Sequence, residues 1–254
     1  MEIRFDNKII LITGASRGIG AAAARLFAES GATVVIHFNQ DKEAAGSVLK
    51  SLPGTNHFLA QADTANPDDL HRMVEKVIGR YGRIDILVNN AGIYDEHDMV
   101  NMQRNAFLEY WDKTISVNLT GPAFLAYLAA REMISLSGGR IVNVTSRGAF
   151  RGEPTAWAYG AAKAGLNATG QSMAKALAPH GVYVFTLAPG FVETDMTAPC
   201  LAGEKRNEIE IQSPLKRIAQ PEEIARAILL LAAEGNEYMT GCILDMNGAS
   251  YLRT

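Results

Sequence analysis

The residues whose types and spacing most directly suggest chemistry are Tyr159 and Lys163. They stand four positions apart in a segment with helical character, so their side chains share one face. A free tyrosine, with a pKa of about 10, carries protons poorly near neutrality. A nearby ammonium stabilises the phenolate and lowers that pKa, which suits the pair to exchanging a proton with a carbonyl or alcohol oxygen. Taken alone, the same spacing is commoner in exposed helix pairs.

Ser146 offers a second hydroxyl for the same chemistry. It follows the apolar segment Arg140–Thr145, which has the character of a strand. Open parallel sheets bind ligands beyond the carboxyl ends of their strands, so Ser146 could hydrogen-bond the oxygen of a substrate held there. By itself, a serine in this position could equally cap the strand.

A glycine-rich turn precedes these residues. Gly14, Gly18 and Gly20 follow the apolar segment Lys8–Thr13 and open a helical one. Glycines between a strand and a helix permit a tight turn, a close approach to a pyrophosphate and contact between helix and strand. A phosphate would then face the unpaired N–H groups of the helix N-terminus. A turn without a ligand is the alternative, and the strand–turn–helix context favours a nucleotide.

The elements that must position these groups alternate along the chain. Further strands are predicted at Thr33–His37, His57–Gln61, Ile84–Val88, Val182–Leu187 and Cys242–Asp245. Helices are predicted at Ile19–Ser30, Asp41–Ser51, Asn66–Arg80, Ala106–Ser135, Thr155–Pro179 and Pro221–Ala233. The alternation predicts an α/β protein with a single Rossmann-type domain over residues 1–254. Its doubly wound parallel sheet is expected to have about seven strands, with helices on both faces.

Four motifs then appear in a familiar order. The segment Thr13–Gly20 fits T-G-x-x-x-G-I-G, and Asn89–Gly92 (NNAG) follows the fourth predicted strand. Further along stand Asn118, Ser146, Tyr159 and Lys163, and then Pro189-Gly190 with Thr194. In identity, order and spacing these motifs resemble the short-chain dehydrogenase/reductase family over nearly the whole chain. The stretches Ser213–Arg217 and Gln220–Ala225 are most similar to its 3-oxoacyl-(acyl-carrier-protein) reductase branch.

The resemblance implies a nicotinamide-dependent oxidoreductase that acts on CH–OH and C=O groups. It implies Tyr159 as the proton donor in carbonyl reduction and Lys163 as a residue that also holds the nicotinamide ribose. Asn118 would help a water molecule relay protons to Lys163. The expected partner is a small carbonyl or alcohol substrate, with a 3-oxoacyl thioester, free or carrier-tethered, as one candidate. The family resemblance also implies a homotetramer.

Two other functions remain open from the sequence. An NAD(P)-dependent dehydrogenase of a sugar, polyol or other secondary alcohol would run the same chemistry in the opposite direction. A non-catalytic nucleotide-binding regulator would need only the glycine turn. The intact set of Asn118, Ser146, Tyr159 and Lys163 argues against the regulator, because a pure sensor has no use for proton transfer.

The residues at the end of the second predicted strand indicate whether NAD(H) or NADP(H) is the preferred cofactor. Phe38 stands where an NAD enzyme of this kind has an acidic residue for the ribose, and Arg17 could bind a 2′-phosphate. We therefore predict NADP(H) over NAD(H), with His37 or Asn39 assisting. Asp63 resembles an adenine-contacting aspartate, although it could also cap a turn. The expected cofactor-binding residues are Gly14, Ser16, Arg17, Gly18, Ile19, Gly20, His37, Asn39, Asp63, Thr64, Asn90, Ala91, Gly92, Tyr159, Lys163, Pro189, Gly190, Val192 and Thr194.

The substrate side gives weaker signals. The loop Ile93–Asn105 and the segment at residues 191–214, which we expect to form a lid, lie where the family builds its pocket. Arg147 and Arg151 could recognise an anionic group on the substrate, or could be surface arginines with no such role. Trp157 could line the pocket or pack against a neighbouring subunit.

Composition and charge exclude other classes. The chain of 254 residues has a net charge of -3 and its basic residues are scattered, which argues against nucleic-acid binding. No segment approaches the roughly 18 apolar residues of a membrane span, and the N-terminal residues lack the pattern of a secretory signal. The 2 cysteines and 5 histidines show no metal-ligand spacing, so no metal is expected. A cytoplasmic location is the simplest expectation.

Overall fold

A single parallel sheet organises the molecule. The computed structural model describes residues 3–136, 138–201, 203 and 205–253. The strands are β1 (Ile9–Ile12), β2 (Thr33–Phe38), β3 (Phe58–Gln61), β4 (Ile86–Asn89), β5 (Gly139–Val144), β6 (Val182–Pro189) and β7 (Ile243–Met246). Within the described residues, all seven are parallel in the order β3-β2-β1-β4-β5-β6-β7. The order reverses between β1 and β4, and the crevice beyond their carboxyl ends is where such sheets bind ligands.

Helices cover both faces of the sheet. They are α1 (Gly18–Glu29), α2 (Lys42–Ser51), α3 (Pro67–Tyr81), α4 (Arg104–Ile115), α5 (Gly121–Ser135), α6 (Gly148–Arg151), α7 (Trp157–Leu177), α8 (Lys205–Glu210) and α9 (Pro221–Ala232). Local chemistry sets several ends. The Asn66 side chain accepts from the amides of Asp68 and Asp69 to cap α3, which ends at the left-handed Gly82. No helix in the described ranges is long and apolar enough to cross a membrane.

Two apolar layers sandwich the sheet because successive strand residues point to opposite faces. Ile10 and Ile12 of β1 pack in the layer with α1, α2 and α9. Ile9 and Leu11 pack in the other, with α3, α5 and the C-terminal half of α7. The sheet is therefore buried on both sides, which accounts for the continuous apolar character of its central strands.

The predicted α/β fold is confirmed, and the differences lie in details near the ligand edge. The helix predicted over Ala106–Ser135 is broken by a π-helical turn at Ser116–Thr120, between α4 and α5. The short helices α6 and α8 are too short to show a clear helical period in the sequence. α8 lies in the segment expected to form a lid, of which residues 202 and 204 are outside the described residues.

Candidate active site

The turn after β1 leaves no room for a side chain at Gly20 and favours glycine at Gly14 and Gly18. Gly14 and Gly18 have φ values of +62° and +55°, in the left-handed region that favours glycine. A Cβ on Gly20 would lie 2.4 Å from the Gly14 carbonyl oxygen and 2.7 Å from Nδ2 of Asn90. Because these glycines have no side chains, the backbone of the turn can approach a bound phosphate group closely.

The end of β4 is fastened to this turn by hydrogen bonds. Thr13 Oγ1 accepts from the amides of Asn90 and Ala91, at 2.9 and 3.0 Å. Asn90 Nδ2 in turn donates to the Thr13 carbonyl at 2.9 Å. These bonds place Asn90 and Ala91 directly beside Gly14 and Gly20.

His37 has a different place from the one expected. Its ring is 1% exposed, its Nδ1 accepts from the Gly14 amide at 3.0 Å, and its Nε2 lies 3.0 Å from the Ala62 carbonyl. Both nitrogens are therefore engaged with backbone, and neither can bind a phosphate. The expectation that His37 assists a 2′-phosphate directly is wrong, and the side chain instead holds the turn from beneath.

The N-terminus of α1 is open to an anion. Arg17 precedes the helix, and no described side chain caps the first amides. The Arg17 side chain is 66% exposed, with Nη1 3.8 Å from the Asp195 carboxylate, a separation too long to hold it firmly. Exposed Asn39 follows Phe38 at the end of β2. Uncapped amides at the start of α1, a turn with three glycines and an exposed arginine fit a phosphorylated dinucleotide.

The other expected cofactor residues also lie at the carboxyl edge. Asp63 Oδ1 accepts from the Ala65 amide at 2.9 Å, so the carboxylate does cap a turn after β3, beside buried Thr64. At the end of β6, a Cβ on Gly190 would lie 3.0 Å from the Asn247 backbone. The expected residues that the structure brings to this edge, besides Tyr159 and Lys163, are Gly14, Ser16, Arg17, Gly18, Ile19, Gly20, Asn39, Asp63, Thr64, Asn90, Ala91, Gly92, Pro189, Gly190, Val192 and Thr194.

Lys163 is a buried cation beneath this edge. It is 4% exposed, and its Nζ donates to the Val144 carbonyl of β5 at 3.0 Å. The same nitrogen lies 5.7 Å from the centroid of the Tyr159 ring. Burial lowers the pKa of Lys163 to about 8, because a charged amine is poorly solvated there.

Tyr159 and Ser146 converge on one point. The Ser146 hydroxyl lies close enough to the Tyr159 phenol to favour its ionised form, and Ser146 Oγ accepts from the Gly148 amide at 3.0 Å. Burial raises the pKa of Tyr159 to about 12, although Ser146 opposes the rise. The expected lowering by Lys163 is therefore wrong for this arrangement. The phenol stays protonated at neutral pH, which is the state that a proton donor needs.

Asn118 owes its position to the π-helical turn, which rotates it away from a regular helical register. The side chain is fully buried, donates to the Ile93 carbonyl and accepts from the Ile93 amide, both at 2.9 Å. A Cβ on Gly92 would lie 2.9 Å from Asn118 Oδ1 and 3.5 Å from Lys163 Nζ. Asn118 and Lys163 thus lie on either side of the α-carbon of Gly92. A side chain on Gly92 would project between the Asn118 amide and the Lys163 amine.

The substrate side holds residues that sequence reasoning missed. The Tyr94 ring meets the Tyr159 ring edge-on, with centroids 4.9 Å apart, and Tyr94 Oη donates to Glu96 at 3.1 Å. Thr155 also donates to Glu96, and Lys205 of α8 lies 3.9 Å from its carboxylate. The sequence signal that could have identified Tyr94 is its position directly after the segment Asn89–Ile93 (NNAGI).

Arg147 and Arg151 do not face a substrate. Arg147 is 3% exposed, donates to Gln212 at 2.6 Å and to Ser250, and lies over the Phe191 ring. Arg151 pairs with Glu153 at 3.4 Å. Both guanidinium groups are occupied by the protein itself, so the structure does not support the idea that they recognise an anionic substrate.

Fold and site together define a dinucleotide-dependent oxidoreductase acting on C=O and CH–OH groups. A family model described as enoyl-(acyl carrier protein) reductase matches residues 14–248. The 3-oxoacyl-[acyl-carrier-protein] reductase FabG of Thermotoga maritima is 39% identical over 250 residues, 97% of this chain and 98% of that protein. The FabG of Aquifex aeolicus is 36% identical over 253 residues, 99% of this chain and all (100%) of that protein.

A solved structure agrees with the sequence comparison. The crystal structure of gox2181 superposes with a TM-score of 0.91 at 30% identity, over 98% of this chain and 97% of that one. The chain therefore belongs to the short-chain dehydrogenase/reductase family, and within it resembles the 3-oxoacyl reductases.

Proposed function

We propose that the protein reduces a carbonyl group to an alcohol with NADPH, with Tyr159 as the proton donor. The observation that carries the proposal is the convergence of the Ser146 and Tyr159 hydroxyls above the buried ammonium of Lys163. This arrangement lies beyond the carboxyl ends of β4 and β5, beside the glycine turn. A carbonyl oxygen placed between the two hydroxyls can accept a hydrogen bond from each.

The protein's groups control the proton in this reaction. Bound NADPH would supply a hydride to the carbonyl carbon, leaving negative charge on the oxygen. Ser146 and Tyr159 stabilise that charge, and the Tyr159 phenol donates its proton to the oxygen. Lys163 lies beside Tyr159 and, across the α-carbon of Gly92, near Asn118, so a water molecule between Lys163 and Asn118 could return a proton to the phenolate that remains.

The preference for NADPH rests on charge at the end of β2. Phe38 is 3% exposed and offers no carboxylate that would repel a 2′-phosphate or bind free ribose hydroxyls. Arg17 has an exposed side chain in the glycine turn, and Asn39 is exposed directly after Phe38. A guanidinium can hold a phosphate through paired hydrogen bonds, which gives the phosphorylated cofactor the advantage.

The first substrate class to examine is the 3-oxoacyl thioester, free or carried by a protein. Support comes from the names of the relatives, which are 3-oxoacyl-[acyl-carrier-protein] reductases across the full chain length. The segment at residues 191–214 would act as a lid over this substrate, since α8 reaches Glu96 through Lys205.

The protein would act as a homotetramer. Aromatic and aliphatic side chains remain exposed on α4, α5 and α7, where Leu108 is 44%, Tyr127 50% and Trp157 49% exposed. Apolar patches of this kind are typical of subunit interfaces. The edge strand β7 offers a second surface. Light scattering after size exclusion would give four times the mass of the 27.4 kDa chain, and a monomer would overturn this part of the proposal.

Loss of NADPH absorbance with an acetoacetyl thioester tests the function. NADPH-selective turnover should disappear in Tyr159→Phe while NADPH still binds, and Tyr238→Phe is the control because Tyr238 is fully exposed. Undiminished activity of Tyr159→Phe would overturn the role of the phenol. Equal efficiency with NADH would overturn the cofactor preference.

A further inference from the structure

The helix that carries Tyr159, α7, begins without a capping side chain of its own. Ala156 precedes the helix and has no side-chain acceptor, and its first turn, residues 157–160, contains no carboxylate. The first N–H groups of a helix have no partner within it, so a buried N-terminus needs acceptors from elsewhere in the protein. Tyr159 is the third residue of this helix, so the group that holds the first turn also places the phenol.

Tyr110 of α4 supplies such an acceptor. Its Oη accepts a hydrogen bond from the Ala158 amide at 3.2 Å. Burial raises the pKa of Tyr110, and the amides of Ala158 and Tyr159 oppose the rise, in agreement with both N–H groups lying near the phenol oxygen. Tyr110 is 6% exposed and Ala158 is fully buried. Loss of this oxygen would leave a buried donor unpaired, which costs more than an ordinary hydrogen bond contributes.

Contacts on its other side keep the Tyr110 ring in place. The His97 ring meets it edge-on, with centroids 4.5 Å apart. The His97 amide donates to the Thr155 carbonyl at 2.8 Å, which ties the substrate-side loop to the residues just before α7. The buried residues of α4 are Tyr110 and Thr114, so the same ring also anchors α4. A ring enclosed in this way holds its hydroxyl at a defined place beside the first turn of α7.

Tyr159 and Lys163 are held to the protein by different contacts. Lys163 lies one turn further along α7, and its Nζ donates to the Val144 carbonyl of β5 at 3.0 Å. Tyr159 lies in the terminal turn, and helix ends fray. Removal of the Tyr110 oxygen should therefore displace Tyr159 while Lys163 and its side of the cofactor site stay in place.

We infer that Tyr110 is a positioning residue whose phenol oxygen caps the first turn of α7 and so fixes where the Tyr159 hydroxyl meets the substrate oxygen. The inference rests on the proposed carbonyl reduction and applies to any carbonyl substrate, 3-oxoacyl thioesters included. In this role Tyr110 acts through Tyr159 and takes no part in proton transfer itself. Proton donation requires hydrogen-bond distance, so a small displacement of the donor lowers kcat.

The Tyr110→Phe variant tests this role, because it removes one oxygen and keeps the ring against His97. With NADPH and an acetoacetyl thioester, kcat should fall by about ten- to a hundredfold, the effect of a misplaced catalytic group. The KM for the thioester and the Kd for NADPH should stay within about twofold of the wild-type values, since Lys163 keeps its anchor. The solvent deuterium isotope effect on kcat should rise, because proton donation becomes the slower step.

Tyr81→Phe is the matched control. The Tyr81 hydroxyl donates to the Asn56 carbonyl at the end of α3, so this variant also loses one tyrosine hydrogen bond. Its kcat and its isotope effect should equal those of the wild type. Hydrogen exchange followed by mass spectrometry gives a readout that does not depend on activity. Residues 157–162 should exchange faster in Tyr110→Phe than in the wild type, whereas residues 170–177 should not change.

Three results would overturn the inference. One is a wild-type kcat in Tyr110→Phe, and another is a lower kcat without a larger isotope effect. The third is an equal weakening of NADPH binding with a melting temperature well below that of Tyr81→Phe, which would make Tyr110 a general structural residue. The proposed function fails separately, if the wild-type protein reduces no ketone or acetoacetyl thioester. In that event, unchanged exchange of residues 157–162 in Tyr110→Phe would overturn the cap, and faster exchange would support it.

Discussion

The amide of Gly14 donates a hydrogen bond to Nδ1 of His37, over 3.0 Å. Because Nδ1 accepts, the ring proton must reside on Nε2, which donates to the Ala62 carbonyl at 3.0 Å. A neutral imidazole thus joins the turn after β1 to the loop after β3. Burial lowers the pKa of His37 from 6.5 to about 4, so this arrangement holds throughout the neutral range.

Stability should fall in mild acid because of this histidine. The unfolded chain binds a proton on His37 below about pH 6.5, whereas the folded chain resists until about pH 4. The stabilising contribution is therefore complete above pH 6.5 and is lost as the pH falls towards 4. The expected loss is on the order of 3 kcal/mol in the free energy of unfolding, measured by urea denaturation across that range. His37→Asn should be less stable at pH 7 and less sensitive to acid, and an unchanged pH dependence in this variant would contradict the assignment.

Replacing glycine with alanine should have opposite effects on the free energy of unfolding at Gly20 and at Gly46. A Cβ on Gly20 would collide with the Gly14 carbonyl oxygen at 2.4 Å, whereas a Cβ on Gly46 in α2 meets nothing within 4 Å. Gly20→Ala should lower the free energy of unfolding by about 2 kcal/mol or more and abolish dinucleotide binding. Gly46→Ala should raise it by about 0.5–1 kcal/mol, because alanine favours the helix. Thermal melts and NADPH titrations check both, and normal NADPH affinity in Gly20→Ala would show that the turn tolerates a methyl group.

The cofactor preference should depend on Arg17. Arg17→Ala should weaken NADPH binding by about ten- to a hundredfold, as loss of a charge-assisted bond does, with little effect on NADH. Arg80→Ala is the matched control, since Arg80 is also exposed and lies in the last turn of α3, outside the cavity that Arg17 lines. Fluorescence titration of each variant with both cofactors makes the comparison. Equal weakening of both cofactors would mean that Arg17 contacts the shared pyrophosphate instead.

Reduction should slow in alkaline solution as Lys163 loses its charge. Its pKa is lowered from 10.5 to about 8 by burial, so the ammonium that favours proton return disappears as the pH rises through 8. Since the pKa of Tyr159 is raised to about 12, the phenol does not titrate in the same range. A profile of kcat/KM from pH 6 to 10 should therefore show one descending limb near pH 8. Lys163→Arg, which stays charged, should lack that limb even at reduced activity, and its persistence would point to another group.

Much of the site could be predicted from sequence because its motifs are local. The turn at Gly14, Gly18 and Gly20 needs glycine for reasons of backbone conformation and close approach, and such needs are visible in residue identity. Tyr159 and Lys163 share a helix, so their spacing alone gave their common face. The alternation of strand-like and helical segments predicted a parallel sheet with helices on both faces, but not the order of the strands.

What the sequence alone determined is therefore the α/β fold, the glycine turn and the shared helix face of Tyr159 and Lys163. Tertiary structure decided the rest, because burial and charge depend on what packs across the chain. Packing occupied both nitrogens of His37, directed Arg147 to Gln212 and Ser250, and raised the pKa of Tyr159 rather than lowering it. It also brought the Glu153 carboxylate against the bare α-carbon of Gly148, whose amide donates to Ser146, a proximity that no periodicity along the chain encodes.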